Sequence, residues 1–428
     1  MRKRIIFWLT MALIMIFTSF AAAEKPAEAF KKVSLSNGLT LMYRVMKDDP
    51  MVSMYAVFPI GMNIERQKGI AHLIEHLVFR GGSGFTFKNI LEATNHQGGE
   101  FNGFTSFYST VFNFVVPKDK FDNAFQVFNG SIWQTDLSET NVNLERKIVV
   151  HELDMDYAMR IQYYPIFRYF YAENFYNKET VNAMTVQNIK DFYQTHYQPS
   201  NATYIIAGNI DPKAIITKLE QIQNGFGKKT VPKGVLNEYN LPHQDVVEER
   251  NLYPYQYQVL MAYQFIGLSP EERMVLKMLS YLYGREYKID YQKNESQVYN
   301  VVDRSLGNED YFGIYYVESR HPFSDEEYQG VKNNMLKFIR QFKKIDLKEV
   351  RQEFVRAVEK ERASSNQSAV DAVQYEVNRL TDPDNITVDS LEVLQKINNQ
   401  DLQRVIDKYL SEQPTTWILV KNNYQGGE

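Results

Sequence analysis

The sequence predicts an α+β protein of two tandem, similar domains, each a two-layer α/β sandwich of one sheet with helices packed on it. Length is the first observation, because 428 residues that are 44% apolar exceed the roughly 300 residues that a single core normally reaches. The second is that strand and helix patterns follow each other in both halves. The third is that each half ends in a helix followed by a strand.

The amino-terminal residues 1–23 have the pattern of a secretory signal peptide. A basic start, MRKR, precedes the apolar run Ile5 to Phe17, and Ala21 to Ala23 supply small residues. A membrane span is the alternative, but the run is shorter than the roughly 20 apolar residues that cross a bilayer. We expect a mature chain that begins near Glu24, has no membrane contact after cleavage, and is periplasmic or secreted.

Composition excludes two kinds of site. Without the signal peptide the chain carries 45 basic and 52 acidic residues, a formal charge of −7, with no basic cluster of the kind that phosphate binding needs. Nucleic acid is therefore not an expected partner. The chain has no cysteine, so a zinc site would have to use histidine and carboxylate ligands.

The first domain, residues 24–225, is predicted to open with sheet and then to alternate. Asn37-Gly38 is a strong hairpin signal, and apolar residues at 3.6-residue spacing indicate a helix that Gly81-Gly82 ends. Strands are predicted at Val33–Leu35, Leu39–Arg44, Val52–Pro59 and Ala202–Ala207, with strand character from Glu100 to Val116. Helices are predicted at Glu65–Phe79, Thr86–Thr94, Phe121–Trp133, Glu139–Asp156, Tyr157–Tyr176 and Val186–His196.

A linker is predicted at residues 226–245, which hold Gly, Lys, Pro and Asn with little periodicity. The second domain, residues 246–428, repeats the first in outline, with strands at Val246–Leu252 and Tyr257–Tyr263 and a helix at Pro270–Tyr283. Its final helix leads into a strand at Trp417–Val420, as the first domain's final helix leads into Ala202–Ala207. This repetition predicts an internal duplication.

A metal-binding motif lies on the helix predicted from Glu65 to Phe79. His72 and His76 are four residues apart, so both imidazoles project from one helical face and can chelate one zinc ion. Glu75 can lie beside the metal and accept a proton from attacking water, as in the inverted zincin motif H-x-x-E-H. The alternative is an ordinary helix whose apolar Leu73 and Leu77 explain its packing without a metal.

A catalytic zinc needs a third protein ligand, and Glu145 and Glu152 are the candidates. They are seven residues apart on one predicted helix and share a face, so one could bind the metal while the other supports it. Spacing alone leaves the choice open. Together with Asp154 and Asp156 they could also form an ordinary solvated acidic face.

These residues resemble the pitrilysin-type (M16) zinc metallopeptidases, the family of insulin-degrading enzyme and mitochondrial processing peptidase, over nearly all of the mature chain. The zinc helix, GIAHLIEHLVFRG from Gly69, and Glu152, 76 positions after His76, match the family pattern. The resemblance implies Zn²⁺, one per chain, bound by His72, His76 and Glu152, with Glu145 as a supporting acid. It also implies a mitochondrial processing peptidase-like fold whose second domain lacks the metal.

The resemblance further implies where substrate binds. Residues 98–106, GGEFNGFTS, are similar to the family's strand beside the metal, which pairs with extended peptide, and this assigns Asn102, Gly103 and Phe104 to substrate binding. Tyr299 matches a family tyrosine that acts near the scissile bond.

Two features depart from the family pattern. Gln292 stands seven positions before Tyr299, where many members have arginine, so we expect a paralogous partner subunit to complete the site. A homodimer is the alternative assembly. Residues 175–182 lack the glycine-containing loop usual at that point, and we expect this segment not to touch the metal ligands. The prediction is a zinc endopeptidase acting on unfolded peptides or small proteins; the alternative is a non-catalytic peptide-binding or structural subunit.

Overall fold

The computed structural model describes residues 29–62, 64–82, 84–106, 108–163, 176–222, 244–250, 257–294, 297–306, 310–319, 322–381, 390–410 and 413–422. The predicted signal peptide, residues 1–23, and most of the predicted linker, residues 226–245, lie outside these ranges. Within the described ranges, no helix combines the length and the apolar character that crossing a bilayer requires.

The first half places helices on one mixed sheet. Its strands are β1 (Lys31–Ser34), β2 (Thr40–Val45), β3 (Met51–Phe58), β4 (Gly81–Gly82), β5 (Phe85–Thr86), β6 (Glu100–Thr105), β7 (Thr110–Pro117) and β8 (Thr203–Gly208). Its helices are α1 (Ile70–Phe79), α2 (Phe87–Ala93), α3 (Phe121–Trp133), α4 (Glu139–Tyr163), α5 (Lys178–Ala183), α6 (Val186–His196) and α7 (Pro212–Ile222). Six strands form a sheet in the order β1-β2-β8-β3-β7-β6, and β4 pairs with β5.

The second half is built on a second sheet. Its strands are β9 (Val246–Arg250), β10 (Tyr257–Ile266), β11 (Gln297–Leu306), β12 (Asp310–Ser319) and β13 (Thr416–Asn422), in the order β11-β12-β10-β13-β9. Its helices are α8 (Pro270–Asn294), α9 (Asp325–Gln341), α10 (Leu347–Ser364), α11 (Ala369–Thr381), α12 (Leu391–Lys396) and α13 (Asn399–Val405).

The two sheets share one topology. In each, the last strand of the half inserts beside the first long strands: β8 lies parallel to β2 and antiparallel to β3, and β13 lies parallel to β9 and antiparallel to β10. A hairpin then completes the sheet, β7 with β6 in the first half and β12 with β11 in the second. This correspondence confirms the predicted α+β fold of two similar sheet-and-helix units.

Helix α1 begins five residues later than the predicted start at Glu65. Gly69 has a φ of 90°, a left-handed conformation that an α-helix does not contain, so the helical residues start at Ile70. Glu65 instead folds back on the helix end, where its carboxylate accepts hydrogen bonds from the backbone N–H groups of Gly69 and Ala71, both at 2.7 Å. The side chain thus satisfies two of the donors that a helix start leaves unpaired.

Both faces of the first sheet are buried. One face packs against α1, α3 and α6 through a core of aliphatic and aromatic side chains that includes Phe58, Phe112 and Phe128. The other face packs against α11, which belongs to the second half of the chain. The central strands β3 and β8 are therefore apolar nearly throughout, and β6, at the sheet edge, alternates instead between exposed and half-buried residues.

Candidate metal centre

Helix α1 presents two histidines toward a neighbouring helix. His72 and His76 are one turn apart, with ring centroids 4.8 Å apart and ring planes at 90°. Their neighbours Leu73 and Leu77 are fully buried in the core, which anchors the helix and fixes the direction of the histidines. The helix therefore delivers two imidazoles to one place, as the sequence predicts.

Glu152 reaches the same place from α4. Its Oε2 lies 3.7 Å from Nε2 of His72 and 3.3 Å from Nε2 of His76. The three side chains each offer one ligand atom, and these atoms lie within 4.8 Å of one another, a group that could hold a metal ion. Two nitrogens and one oxygen are a donor set that zinc accepts, and three protein ligands leave a fourth position for water or substrate.

Glu145 lies behind this cluster, two turns before Glu152 on α4. Its Oε2 is 3.0 Å from Nδ1 of His76, and its Oε1 accepts a hydrogen bond from Nε of Arg80. Burial raises the pKa of Glu145, but the hydrogen bonds from His76 and Arg80 and their charges outweigh it and lower that pKa. The carboxylate is thus kept ionised next to the imidazole.

The pKa of His76 shifts in the opposite direction to that of Glu145. Burial lowers the pKa of His76, but the hydrogen bond to Glu145 and the charges of Glu152 and Glu75 outweigh burial and raise it. A ring in this setting strongly favours a proton on Nδ1, which leaves Nε2 as the nitrogen that faces Glu152.

Glu75 lies next to the cluster without belonging to it. The side chain is buried, and its Oε2 accepts a hydrogen bond of 2.7 Å from Oγ1 of Thr105 at the end of β6. Burial is the largest influence on the pKa of Glu75 and raises it, whereas the hydrogen bond from Thr105 lowers it. The carboxylate is therefore a stronger base than an exposed glutamate.

The strand β6 borders a cleft of 190 Å³ in front of these residues. Asn102 and Phe104 lie on the exposed side of the strand, with Phe104 42% exposed, and a Cβ atom added to Gly103 would lie 3.2 Å from the ring of Phe79 in α1. The Oδ1 atom of Asn102 accepts a hydrogen bond from the N–H of Gly103. The cleft is lined by Met62, His72, Glu75, Gly103, Phe104, Thr105 and Tyr176.

Tyr176 contradicts the expectation that residues 175–182 do not touch the predicted metal ligands. Its hydroxyl oxygen lies 2.7 Å from Nδ1 of His72. The expectation was wrong because it considered only the missing glycine loop, and the two residues are 104 positions apart, with no sequence pattern connecting them.

The residues predicted from the second half lie in the second sheet and its long helix. Gln292 is in α8, which continues past the predicted end at Tyr283, and Tyr299 is in β11 opposite Tyr316 of β12. Because β11 corresponds to β6 in the shared topology, Tyr299 and Asn102 occupy equivalent edge strands. The catalytic role of Tyr299 stays a prediction.

Two family models match the chain in order. Residues 49–185 match insulinase, peptidase family M16, and residues 183–359 match the peptidase M16 inactive domain. Together the matches cover residues 49–359, more than half of the chain.

Similar proteins agree with these models. An uncharacterized zinc protease of Rickettsia felis is 25% identical over 205 residues, which are 46% of this chain and 50% of that protein, so the match spans about half of the relative's length. A protease from Helicobacter pylori has a crystal structure with a TM-score of 0.74 at 18% identity, covering 92% of this chain and 99% of that chain. The structure of the periplasmic protease PqqL from Escherichia coli has a TM-score of 0.68 at 18% identity, and the match covers 93% of this chain and 48% of that chain.

The structural matches establish the fold, and the family models establish descent. Both models match one chain in the order in which the two sheets occur. The chain belongs to peptidase family M16.

Proposed function

We propose that this chain is a zinc-dependent endopeptidase that hydrolyses unfolded peptides or small proteins, with one Zn²⁺ per chain bound by His72, His76 and Glu152. The observation that carries the proposal is the convergence of two imidazole nitrogens and a carboxylate oxygen, from two helices, to within 4.8 Å of one another. Membership of a peptidase family supports the same reaction class.

The orientation of the ligands suits the metal. Nδ1 of His72 faces Tyr176 and Nδ1 of His76 faces Glu145, so both Nε2 atoms are directed at the same point near Glu152. Such outer hydrogen bonds are typical of metal-binding histidines because they fix the tautomer. A bound zinc ion would supply Lewis-acid activation of water and of the scissile carbonyl group.

Glu75 is proposed as the general base. Thr105 holds one of its carboxylate oxygens, so we assign proton transfer to the other. Burial raises the pKa of Glu75, which favours uptake of a proton from the attacking water and its later delivery to the leaving amine. Tyr299 is proposed to stabilise the oxyanion.

Substrate is proposed to bind along β6. This strand lies at the end of the first sheet's strand order, so an extended peptide could add to it through main-chain hydrogen bonds that demand no particular sequence. Asn102 would contact the peptide backbone, and Gly103 and Phe104 would border the substrate in the cleft next to Glu75.

The enzyme is proposed to work as the zinc-bearing subunit of a pair. Gln292 stands where many relatives have the arginine that binds substrate, so a paralogous partner subunit would supply that group. A non-catalytic peptide-binding or structural subunit is the second candidate, and Gln292 is the observation that favours it. The complete set of His72, His76, Glu152 and Glu75 favours the enzyme.

The proposed location is the periplasm or the exterior. Residues 1–23 have the pattern of a secretory signal, and the PqqL protein of similar fold is described as periplasmic.

The test is hydrolysis of a quenched fluorescent peptide library by the purified mature chain with zinc, alone and with a candidate paralogous partner. Glu75→Gln is the control, because it keeps the shape of the side chain and removes the base. We expect turnover by the wild type only when the partner is present, no turnover by Glu75→Gln, and one zinc ion bound per chain by the wild type and by Glu75→Gln. Turnover by the chain alone would refute the pairing; no turnover in either case, with zinc bound, would favour the binding subunit.

A further inference from the structure

Tyr176 occupies the outer side of His72 as Glu145 occupies the outer side of His76. Its Oη lies 2.7 Å from Nδ1 of His72, and the two ring centroids are 5.5 Å apart. Tyr176 comes from the segment after α4, far from α1 in sequence, so the contact is a tertiary one.

The direction of this hydrogen bond follows from the proposed role of His72 as a metal ligand. Nε2 of His72 faces Glu152 at 3.7 Å, on the side where the ligand atoms converge. If Nε2 provides the lone pair for a metal, the ring proton must reside on Nδ1, which then donates to the tyrosine oxygen. The tyrosine oxygen is therefore placed to accept the Nδ1 proton of the tautomer that metal binding requires.

The tyrosine ring is itself held in place. A Cβ atom added to Gly69 would lie 2.6 Å from Cγ of Tyr176, so the ring packs directly on the glycine that precedes α1. Asn177, the next residue, caps α5 through reciprocal hydrogen bonds with Thr180, and Val181 in that helix is fully buried. The side chain of Tyr176 is thus held by a helix cap at the next residue and by packing of its ring on the start of α1.

We propose that Tyr176 is a positioning residue for His72, holding the imidazole in the tautomer and orientation that bind zinc. This inference rests on the proposed function, because it takes His72 as a zinc ligand. The two histidines then differ in their outer partner: His76 has an ionised carboxylate, and His72 has a neutral hydroxyl.

The hydroxyl group and the ring of Tyr176 have roles that can be tested separately. The ring lines the cleft, packs on Gly69 and lies near the ring of His72, whereas the hydroxyl makes the hydrogen bond to Nδ1 of His72. Tyr176→Phe removes the oxygen and keeps the ring, so it should weaken zinc binding without changing the KM for peptide measured at saturating zinc.

The test measures the zinc dissociation constant of Tyr176→Phe by competition with a chromophoric chelator. Loss of an outer partner of a metal-binding histidine typically costs about 10- to 100-fold in affinity, and we expect a loss in that range together with faster zinc release and a changed visible spectrum of the Co²⁺-substituted protein. Tyr55→Phe is the matched control: its hydroxyl donates to Gln374 on the other face of the sheet, away from the cluster.

The outcomes distinguish this inference from the proposed function. If the wild type binds no zinc, the proposed function fails; if the wild type binds zinc and Tyr176→Phe binds it equally well with the same Co²⁺ spectrum, only the role of Tyr176 fails. Imidazole ¹⁵N shifts of the zinc-loaded wild type give an answer that does not depend on the folding of the variant. Nδ1 protonated and Nε2 ligated in His72 is the expected state, and the reverse would overturn the proposal.

Discussion

The Glu145 carboxylate lies 3.0 Å from Nδ1 of His76 and so connects α4 to the histidine helix α1. The contact is nearly excluded from solvent, since Glu145 is 3% exposed. Arg80, one turn after His76, contacts the other carboxylate oxygen. The carboxylate of Glu145 therefore lies on the outer side of the proposed ligand His76 and is paired with the positive charge of Arg80.

Glu145→Gln should weaken zinc binding by about 10- to 100-fold, because the amide keeps the shape but removes the charge that holds the imidazole proton on Nδ1. Chelator competition on the purified proteins measures the effect. Glu139→Gln is the control, since Glu139 lies at the exposed start of the same helix. Equal zinc affinity in the two variants would mean that Glu145 does not support the site.

The sequence predicted the helices whose apolar residues recur at regular spacing. Phe121–Trp133 and Val186–His196 were predicted with the bounds that the structure gives, because their apolar residues recur at helical spacing. The predicted start of α1 was five residues too early, because Gly69 has a left-handed conformation that interrupts the helix although apolar residues lie on both sides of it.

Contacts between segments that are distant in the chain are the part of the candidate site that could not be predicted from the sequence. His72, Glu75 and His76 lie within five consecutive residues of one helix, so their spacing alone predicted that the three side chains would lie close together. Tyr176 meets His72 in a tertiary contact between positions 104 residues apart. The close packing of its ring on Gly69 has no signature in either segment alone.

Thr105 should tune the pH dependence of catalysis. Its hydroxyl donates to Glu75 and lowers the pKa of that carboxylate, opposing the larger effect of burial. Thr105→Val removes the hydroxyl, so the pKa of Glu75 should rise and the acid limb of the kcat/KM profile should move to higher pH. Thr105→Ser keeps the donor and should retain the wild-type limb; superimposable profiles for the Val and Ser variants would contradict this role.

Glu65 should stabilise the start of α1. Glu65→Ala leaves the buried N–H groups of Gly69 and Ala71 without their acceptor, which should cost about 1–3 kcal/mol of unfolding free energy. The measurement is urea denaturation of the metal-free protein, with Arg66→Ala, the exposed neighbour, as control. A loss no larger than that of Arg66→Ala would show that other groups satisfy the helix start.

The stabilisation by Glu65 should also depend on pH in a defined direction. Burial raises the pKa of Glu65 to about 7, and the hydrogen bonds from Gly69 and Ala71 only partly oppose it. Because this pKa lies above that of the unfolded chain, the folded state binds the extra proton, and the contribution is lost as pH rises through about 7. The difference between wild type and Glu65→Ala should therefore be larger at about pH 5 than at about pH 8; a difference that grows with pH would have the wrong sign.

Helix α11 ties the second half of the chain to the outer face of the first sheet. Ala369, Ala372, Val373 and Val377 are buried against side chains of β2, β3, β7 and β8. Polar contacts flank this patch: the guanidinium of Arg44 donates to the carbonyl of Ser365 at 3.0 Å, and the hydroxyl of Tyr55 donates to Gln374 at 2.9 Å. The first sheet therefore depends on the second half for burial of its outer face.

Val373→Ala should destabilise the first half even though the substitution lies in the second. Val373 is fully buried in the patch, and removing two buried methyl groups from a packed site should cost about 1–3 kcal/mol. Trp133 lies in the core of the first half and Trp417 in that of the second, so in a chain that starts at Glu24 and therefore lacks Trp8, a Trp417→Phe background makes fluorescence report the first half. Leu380→Ala, at a position 44% exposed on the same helix, removes more carbon atoms from solvent-facing surface and should change the urea midpoint little. If Val373→Ala left the Trp133 transition where Leu380→Ala leaves it, the two halves would unfold independently and α11 would not support the sheet on which α1 packs.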